Sequence, residues 1–316
     1  MNDIAVENGG NAIVFSAVTR RFGGTVAVHD LSFSVACGEM FGLIGPDGAG
    51  KTTTIRMICG LLRPDAGSVR VLGLDPARDH RRLTASVGYL SQRFSLYGDL
   101  SVDENIAFFA EIHGVRDYRG RRDRLLELTR LTPFRARPAE RLSGGMKQKL
   151  ALACTLVHQP SLIVLDEPTT GVDPVSRREF WKLLAEFLSQ GITIVMTTPY
   201  LDEAERCSRV ALLHRGGLLA LDTPPALNRS LPGALYELIV GDHRRAVAIL
   251  RRDLGEGRDV QTFGERVHVR LARTDAEAID RIADRLRGAG VEVRSVRPIA
   301  ASLEDVFIAR LSEAAP

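Results

Sequence analysis

Apolar and polar residues along the chain follow two different spacings in turn, which predicts strands alternating with helices. Continuous apolar runs are typical of strands buried in a parallel sheet, and they occur at residues 40–44 and 162–165, with a further strand predicted at residues 193–196. Strict alternation predicts a strand covered on one face at residues 31–35. Further short strands are predicted at residues 12–15, 68–72 and 86–90. This alternation predicts an α/β core.

An arginine-rich helical region with few strand signals interrupts the pattern at residues 102–131. We interpret about 93–160 as a helical subdomain inserted into the core. The arginines of residues 116–137 fit a solvated helical face, and the alternative is a surface for lipid headgroups or a membrane subunit.

The pattern changes near residues 222–225, where two prolines follow Asp222 and Thr223. We therefore predict one domain over residues 1–226 and a smaller one over 231–316. The elements predicted in the smaller domain are a strand (235–240), a helix (243–253), two strands (260–263 and 267–271), a helix (275–287) and a strand (291–296). That order suggests a small α+β domain of the ferredoxin-like type, in a regulatory or dimer-stabilising role.

A glycine-rich run directly after residues 40–44 has the spacing of a P-loop. Its residues are Gly45, Pro46, Asp47, Gly48, Ala49, Gly50, Lys51 and Thr52, with Thr53 next in the predicted helix. In such a loop the backbone N–H groups surround nucleotide phosphates, the lysine adds a positive charge and the threonine hydroxyl binds Mg²⁺. The positive N-terminal end of the helix favours the same phosphates. The sequence therefore predicts a nucleotide site with Thr52 as a metal ligand.

Two carboxylates, Asp166 and Glu167, end the apolar run at residues 162–165. The carboxyl edge of an open α/β sheet is where such folds bind ligands. We expect Asp166 to hold Mg²⁺ and Glu167 to polarise the water that attacks the terminal phosphate.

A second glycine pair lies in the run from Leu142 to Gln148, where Ser143, Gly144 and Gly145 open a predicted helix. Ser143 is a good helix N-cap, but consecutive glycines are poor helix formers and indicate that something approaches the backbone closely. We interpret the three residues as a second anion site.

The composition of the chain limits the kinds of partner and metal site that are expected. The chain has 42 basic and 39 acidic residues, so no nucleic-acid partner is expected from its charge. Its four cysteines are far apart, which favours neither a disulfide framework nor a zinc site. The N-terminus lacks the pattern of a signal peptide, and no apolar run reaches the length of a membrane span, so any membrane role is expected to work through a partner.

The P-loop, the Ser-Gly-Gly run and the two acids stand in the order found in the ATP-binding subunits of ABC transporters, which residues 14–222 resemble. The resemblance implies that Gln92 senses Mg²⁺ and takes part in catalysis, that Asp173 signals across a dimer, and that Phe22 stacks on adenine. It also implies ATP and Mg²⁺ as ligands and a second ABC ATPase domain, in a homodimer or heterodimer, whose Ser-Gly-Gly closes each site.

The resemblance further implies integral-membrane permease subunits as partners, and so a place at the cytoplasmic face of the cell membrane. Residues 301–307 are similar to the tail of drug- and polysaccharide-type exporters whose permeases are of the ABC-2 class. That similarity favours export, although an ordinary Ser-capped amphipathic helix also explains the run.

One position departs from the family pattern. The family usually has a histidine before the Tyr-x-Asp-Glu-Ala run, and here Pro199 precedes Tyr200. Proline has no N–H or imidazole to offer the terminal phosphate. Either this P-loop site hydrolyses ATP slowly while its Ser-Gly-Gly serves a competent partner site, or Glu167 suffices alone.

Two other classes of protein share part of the pattern. A soluble ABC ATPase acting on ribosomes or DNA uses the same motifs, but usually has two ATPase domains or long coiled-coil insertions, neither of which is visible. A P-loop kinase would use Lys51 and Asp166 but has no use for residues 142–148.

Overall fold

A computed structural model describes residues 10–92, 96–254, 260–271 and 277–314. The chain divides into two compact units between Leu221 and Asp222. Three of the sequence predictions reach beyond the described residues: the N-terminus, the start of the helical subdomain at 93–95, and positions 275 and 276 of a predicted helix. Among the residues that the structure describes, no helix is both long and apolar enough to cross a membrane.

The first unit alternates strands and helices, with two short 3₁₀ turns before α5. Its elements are β1 (Asn11–Phe22), β2 (Thr25–Ala36), β3 (Met40–Ile44), α1 (Lys51–Ile58), β4 (Ala66–Val71), α2 (His80–Thr84), β5 (Val87–Leu90), α3 (Val102–Ile112), α4 (Arg119–Thr129), α5 (Gly144–Leu156), β6 (Leu162–Asp166), α6 (Pro174–Ser189), β7 (Thr193–Thr198), α7 (Leu201–Ala204), β8 (Arg209–His214) and β9 (Gly217–Asp222).

Six strands form the central sheet of this unit, in the order β5-β6-β7-β3-β8-β9. The two apolar runs of the sequence are β3 and β6, and the strand predicted at residues 193–196 is β7. All three are buried along their whole length because neighbours cover both edges and both faces. β3, β6 and β7 pair in parallel, with Ile44 opposite Thr198 and Asp166 opposite Thr197. The P-loop, the two acids and Pro199 therefore leave the sheet at one edge.

A second, antiparallel sheet has the order β2-β1-β4. It shares a core with the central sheet, through stacked rings of Phe15 on Phe33 and of Phe33 on Phe41, with centroids 4.6 and 5.4 Å apart. β1 and β2 run twelve residues each, well beyond the predicted strands, because they continue as a hairpin to the turn at Gly23.

The helical region of the sequence holds two helices rather than one. Ser101 and Glu104 form a reciprocal capping box at the start of α3, and the helix ends before Gly114, which has a φ of 68°. Glycine takes this left-handed conformation without steric cost, so it stops the helix. Two arginines of this region are paired locally: Arg122 in α4 and Arg135 after it both contact Asp103 and Asp123.

The second unit follows the predicted order strand, helix, strand, strand, helix, strand. Its elements are α8 (Pro224–Ser230), β10 (Ala234–Val240), α9 (His243–Leu254), β11 (Val260–Phe263), β12 (Arg266–Leu271), α10 (Ala278–Gly288), β13 (Val293–Ile299) and α11 (Leu303–Ala314). The strands form one antiparallel sheet, β11-β12-β10-β13, with α9 and α10 packed on the face that carries Leu238, Val267 and Val269. β12 thus lies between the first two strands of the unit. The ferredoxin-like assignment, which rests on the order of the elements, stays a prediction.

The 301–307 run fixes the start of α11 to the other face of this sheet. Asp305 accepts hydrogen bonds from the Ser302 amide and hydroxyl at 2.9 and 2.7 Å, and its second oxygen lies 2.8 Å from Nδ1 of His268 on β12. Burial raises the pKa of Asp305, but the bonds from His268 and Ser302 outweigh burial and hold the pKa below its ordinary value.

Candidate nucleotide-binding site

The P-loop leaves β3 and returns directly into α1, whose N-cap is Gly50 with a φ of 97°. At two positions of the loop only glycine fits, because backbone from other parts of the chain lies where a Cβ would be. A Cβ on Gly45 would overlap the carbonyl oxygen of Leu213, and one on Gly50 would lie 2.6 Å from the carbonyl oxygen of Ala27. The loop is therefore held between the hairpin of β1 and β2 on one side and the end of β8 on the other.

Lys51 lies inside this loop, with only 5% of its surface exposed. Its Nζ donates to the carbonyl oxygens of Gly45 at 2.8 Å and Pro46 at 3.2 Å, and lies 3.4 Å from Oε1 of Glu167. A buried ammonium needs such partners. Asp47 is exposed and only 4.0 Å away, so it adds a weak pair at the mouth of the loop.

Thr52 and Asp166 come together as oxygen donors. The Thr52 hydroxyl lies 3.3 Å from Oδ1 of Asp166, which also accepts a 2.7 Å bond from the hydroxyl of Thr197. Asp166 is 2% exposed. A hydroxyl beside a carboxylate suits Mg²⁺, which takes few protein ligands and completes its coordination with water and phosphate oxygens. Thr53 follows in the first turn of α1.

Glu167 is held in a strained conformation beside these donors. Its φ is 48°, a left-handed value that costs a non-glycine residue free energy and persists only where the surroundings hold it. Its amide donates to the hydroxyl of Thr197 at 2.9 Å, and its Oε2 accepts from Nε2 of Gln92 at 3.0 Å. The structure thus brings together the two side chains predicted to act in catalysis.

Ser143 caps α5, with its hydroxyl accepting from the amide of Met146 at 3.3 Å. The two glycines that follow have different surroundings. A Cβ on Gly144 would meet nothing within 4 Å, whereas one on Gly145 would overlap Oγ and Cβ of Ser176. The close approach predicted for this pair is therefore, at Gly145, made by α6 of the same chain, and only Gly144 leaves its backbone open to an outside group.

Asp173 is the N-cap of α6 and accepts from the amides of Val175 and Ser176 at 3.1 and 2.9 Å. Hydrogen bonds from Ser176, and then from the backbone, hold the pKa of Asp173 below its ordinary value, so it is ionised near neutral pH. Beside it Val175 is 71% exposed. The N-terminal end of α6 therefore presents one ionised and one apolar side chain on the surface.

Phe22 ends β1 and is 47% exposed, with the guanidinium carbon of Arg20 4.9 Å from its ring centre. The hairpin that it closes continues along β2 to Ala27, which touches Gly50 of the P-loop. One face of the ring is covered by Arg20, and the exposed remainder is free for stacking.

Four polar residues of the site escaped sequence reasoning: Thr169, Thr197, Thr198 and Glu203. The threonines at 197 and 198 end a buried strand, where a hydroxyl needs a partner, and that placement was the only available signal. Glu203 is 1% exposed on α7. Pro199 lies directly after Thr198, whose hydroxyl accepts from the amide of Tyr200 at 3.0 Å, so the position that usually carries histidine offers no side-chain donor.

A family model described as ABC transporter matches residues 28–170. The chain is 45% identical over 246 residues to the probable multidrug ABC transporter ATP-binding protein YbhF of Escherichia coli, over 77% of this chain and 42% of YbhF. It therefore spans less than half the length of that relative.

Two further relatives match over nearly their whole length. Identity is 38% over 302 residues to the Nod factor export ATP-binding protein I of Rhizobium sp., covering 94% of this chain and 96% of that protein. Identity is 34% over 306 residues to the daunorubicin resistance ATP-binding protein DrrA2 of Streptomyces coeruleorubidus, covering 95% and 94%. The three names refer to multidrug transport, Nod factor export and daunorubicin resistance, so they give the ribosome or DNA alternative no support.

Solved structures agree in fold. A structure titled as the ATP-binding subunit of an ABC transporter superposes with a TM-score of 0.64 at 30% identity, over 69% of this chain and 92% of that chain. CbiO1 from Clostridium perfringens, described as part of the transporter complex cbiONQ, gives 0.64 at 25% identity, over 77% and 96%.

Proposed function

The chain belongs to the ATP-binding proteins of ABC transporters, and from this premise we propose that it binds and hydrolyses ATP as the motor subunit of an exporter. The observation that carries the proposal is the convergence of Lys51, Thr52, Asp166, Glu167 and Gln92 at one edge of the central sheet. ATP-driven closure of a dimer is then coupled to transport by a separate permease of the ABC-2 type.

Each residue has a defined task in that proposal. The P-loop amides and Lys51 bind the β- and γ-phosphates, exchanging the contacts of Nζ with Gly45, Pro46 and Glu167 for stronger ones with phosphate oxygens. Thr52 and Asp166 hold Mg²⁺, which neutralises phosphate charge when bound. Released from Lys51, Glu167 accepts a proton from the attacking water while Gln92 keeps its carboxylate oriented.

The proposed dimer is head to tail, with ATP between the P-loop of one domain and residues 143–145 of the other. The open backbone at Gly144 supports this arrangement, because an amide at a helix start with no side chain in front of it is suited to a phosphate oxygen. Val175 and Asp173, exposed at the start of α6, supply an apolar contact and a charge to the same interface.

Pro199 limits the chain's own site in this proposal. Tyr200 donates its amide to Thr198, and proline has no N–H, so the loop after β7 directs no donor at the terminal phosphate. We expect this P-loop to hold ATP longer than a histidine-containing one, while residues 143–145 complete the site of a competent partner domain.

An apolar groove in the first unit supports a permease as the second partner. A cavity of 220 Å³ lies between α1, α2, α3 and β5, lined among others by Leu61, Phe109, His113 and His158. Leu61 and Ile112 beside it are 57% and 61% exposed. Large exposed apolar side chains grouped at a cavity are typical of a protein contact, here with an amphipathic cytoplasmic segment of the permease.

Two histidines that line this groove, His113 and His158, add no charge to it. The rings of His113 and His158 stack with centroids 3.8 Å apart. Burial lowers the pKa of His113, and burial together with the neighbouring His113 lowers that of His158 to about 4. Both imidazoles are therefore neutral near pH 7, which suits an apolar partner. The complex places the chain at the cytoplasmic face of the membrane.

Co-purification tests the proposal. The tagged chain, expressed with its neighbouring coding sequences and extracted in detergent, is expected to carry an integral-membrane permease with it. Ile112→Asp and Leu61→Asp are expected to release the permease, since each places a charge at the groove, without changing ATP affinity. Leu218→Asp on β9, where Leu218 is 37% exposed, is the matched control and should retain it. Recovery of ribosomes in place of a permease would contradict the proposal.

A further inference from the structure

Glu203 is a buried charge that the proposed chemistry does not use. It lies in α7, five residues after Thr198, and is 1% exposed. Burying a carboxylate is costly unless every oxygen has a partner, so its contacts identify what the charge is for.

Both carboxylate oxygens of Glu203 accept a hydroxyl from a different segment of the site. Oε1 accepts from the Thr169 hydroxyl at 2.6 Å, and Oε2 accepts from the Thr198 hydroxyl at 2.8 Å. Nε of Arg177 lies 3.5 Å from Oε1 and supplies the compensating positive charge. Short bonds from O–H to a carboxylate are among the stronger hydrogen bonds in proteins.

These partners belong to three separate segments around the proposed hydrolytic site. Thr169 lies in the loop that begins at Glu167, and Thr198 directly precedes Pro199. Arg177 belongs to α6, which Asp173 caps, and its guanidinium carbon lies 5.0 Å from the ring centre of Tyr200. Glu203 therefore joins the loop of the general base, the loop at position 199 and the helix that faces the partner domain.

Resting on the proposed function, we propose that Glu203 is a positioning residue for ATP hydrolysis: its carboxylate sets the distance between the Glu167 loop and the loop that follows β7. A carboxylate is needed because each oxygen accepts one hydroxyl. A glutamine amide keeps one acceptor and turns an NH₂ toward the other threonine. With the NH₂ on the Thr198 side, the Thr198 O–H loses the acceptor that Glu203 provides, and a buried donor without a partner is costly.

The test compares Glu203→Gln with Glu205→Gln in the full chain. Glu205 is exposed just after α7, so Glu205→Gln makes the same chemical change without touching the hydrogen bonds between Glu203 and the two threonines. We expect Glu203→Gln to lower kcat by about tenfold or more, as misplaced catalytic groups do, while KM and the ATP dissociation constant stay unchanged. Amide hydrogen exchange is expected to rise in residues 168–172 and 197–201 but not in the P-loop. Glu205→Gln should match wild type in all of these.

Equal kcat and equal exchange in the two variants would overturn the inference, and so would a loss of ATP affinity as large as the loss of kcat. If Glu203→Gln does not fold, Thr169→Val and Thr198→Val each remove one hydrogen bond to Glu203. Each must then lower kcat while leaving KM and the ATP dissociation constant unchanged. A wild-type chain that neither binds nor hydrolyses ATP would overturn the proposed function instead, and the exchange measurement would still decide whether Glu203 holds the two loops.

Discussion

At Gly144 and Gly145, neighbouring glycines serve different purposes. Helical glycine is ordinarily about 1 kcal/mol worse than alanine, so a glycine pair that opens a helix needs a reason at each position. Gly145 is required by Ser176 of the same chain, and Gly144 has open space in front of it. The first reason concerns folding and the second concerns a partner, and substitution separates them.

We expect Gly145→Ala to lower the free energy of unfolding by about 1–3 kcal/mol, because its methyl group overlaps the Ser176 side chain. Gly144→Ala should leave stability unchanged or slightly higher, yet weaken ATP-dependent association with the partner domain. Thermal unfolding and sedimentation of the full chain measure the two effects. Ser176→Gly should restore part of the stability of Gly145→Ala. Equal destabilisation by both alanines would contradict this assignment.

Residues whose chemistry is local could be predicted from the sequence, and those held by distant partners could not. The P-loop carries its glycines, lysine and threonine in one run, so its spacing alone identifies it. Thr197 meets Asp166 across 31 positions of the chain, and Glu203 meets Thr169 across 34. Without the pairing of β6 and β7, nothing in the sequence places these side chains together.

Among the elements, the buried strands β3 and β6 were predicted because their apolar runs are continuous, whereas β8, whose run at residues 210–213 is also apolar and buried, was not predicted. The ends of helices and strands were harder to predict from the sequence. β13 begins at Val293 and runs to Ile299, later than predicted, because residues 294–297 are mostly polar and no apolar run marks the limits of the strand. α8 was not predicted at all: Thr223 caps it and two prolines occupy its first turn, a start signal that also fits a linker.

Asp305 holds the start of α11 against β12, so we expect the stability of the second unit to depend on the charge of this carboxylate. The pKa of Asp305 is lower in the folded chain than its unfolded value of about 3.9, so its ionised form stabilises the fold above that pH. This stabilisation is lost as the pH falls through the folded pKa. Asp305→Asn should therefore cost about 1–3 kcal/mol at pH 6 and progressively less below pH 4.

Urea unfolding of the full chain at several pH values measures this difference, with amide exchange in β10 and β12 assigning the transition to the second unit. Glu304→Gln is the control, because Glu304 lies in the same first turn but is exposed. A cost for Asp305→Asn that is constant from pH 6 to pH 3 would show that the charge of Asp305 does not hold the helix.

In the proposed dimer, each chain supplies half of every working site. The P-loop, Asp166 and Glu167 are the proposed contacts to one side of a nucleotide, and the open backbone at Gly144 is the proposed contact to the nucleotide of another domain. Transport also requires a membrane partner, for which the groove beside Leu61 and Ile112 is the proposed contact. The resemblance of the sequence to ABC transporter subunits indicates both the second ATPase domain and the membrane partner. We expect the permease, and not this chain, to determine the cargo.

The most direct test measures Mg²⁺-dependent ATP binding and steady-state hydrolysis by the full chain, with Lys51→Ala and Pro199→His alongside the wild type. The account predicts that the wild type binds ATP and turns it over slowly, that Lys51→Ala loses binding, and that Pro199→His raises turnover by about tenfold or more. A wild-type chain that does not bind ATP, or that hydrolyses it rapidly on its own with no gain from Pro199→His, would contradict it.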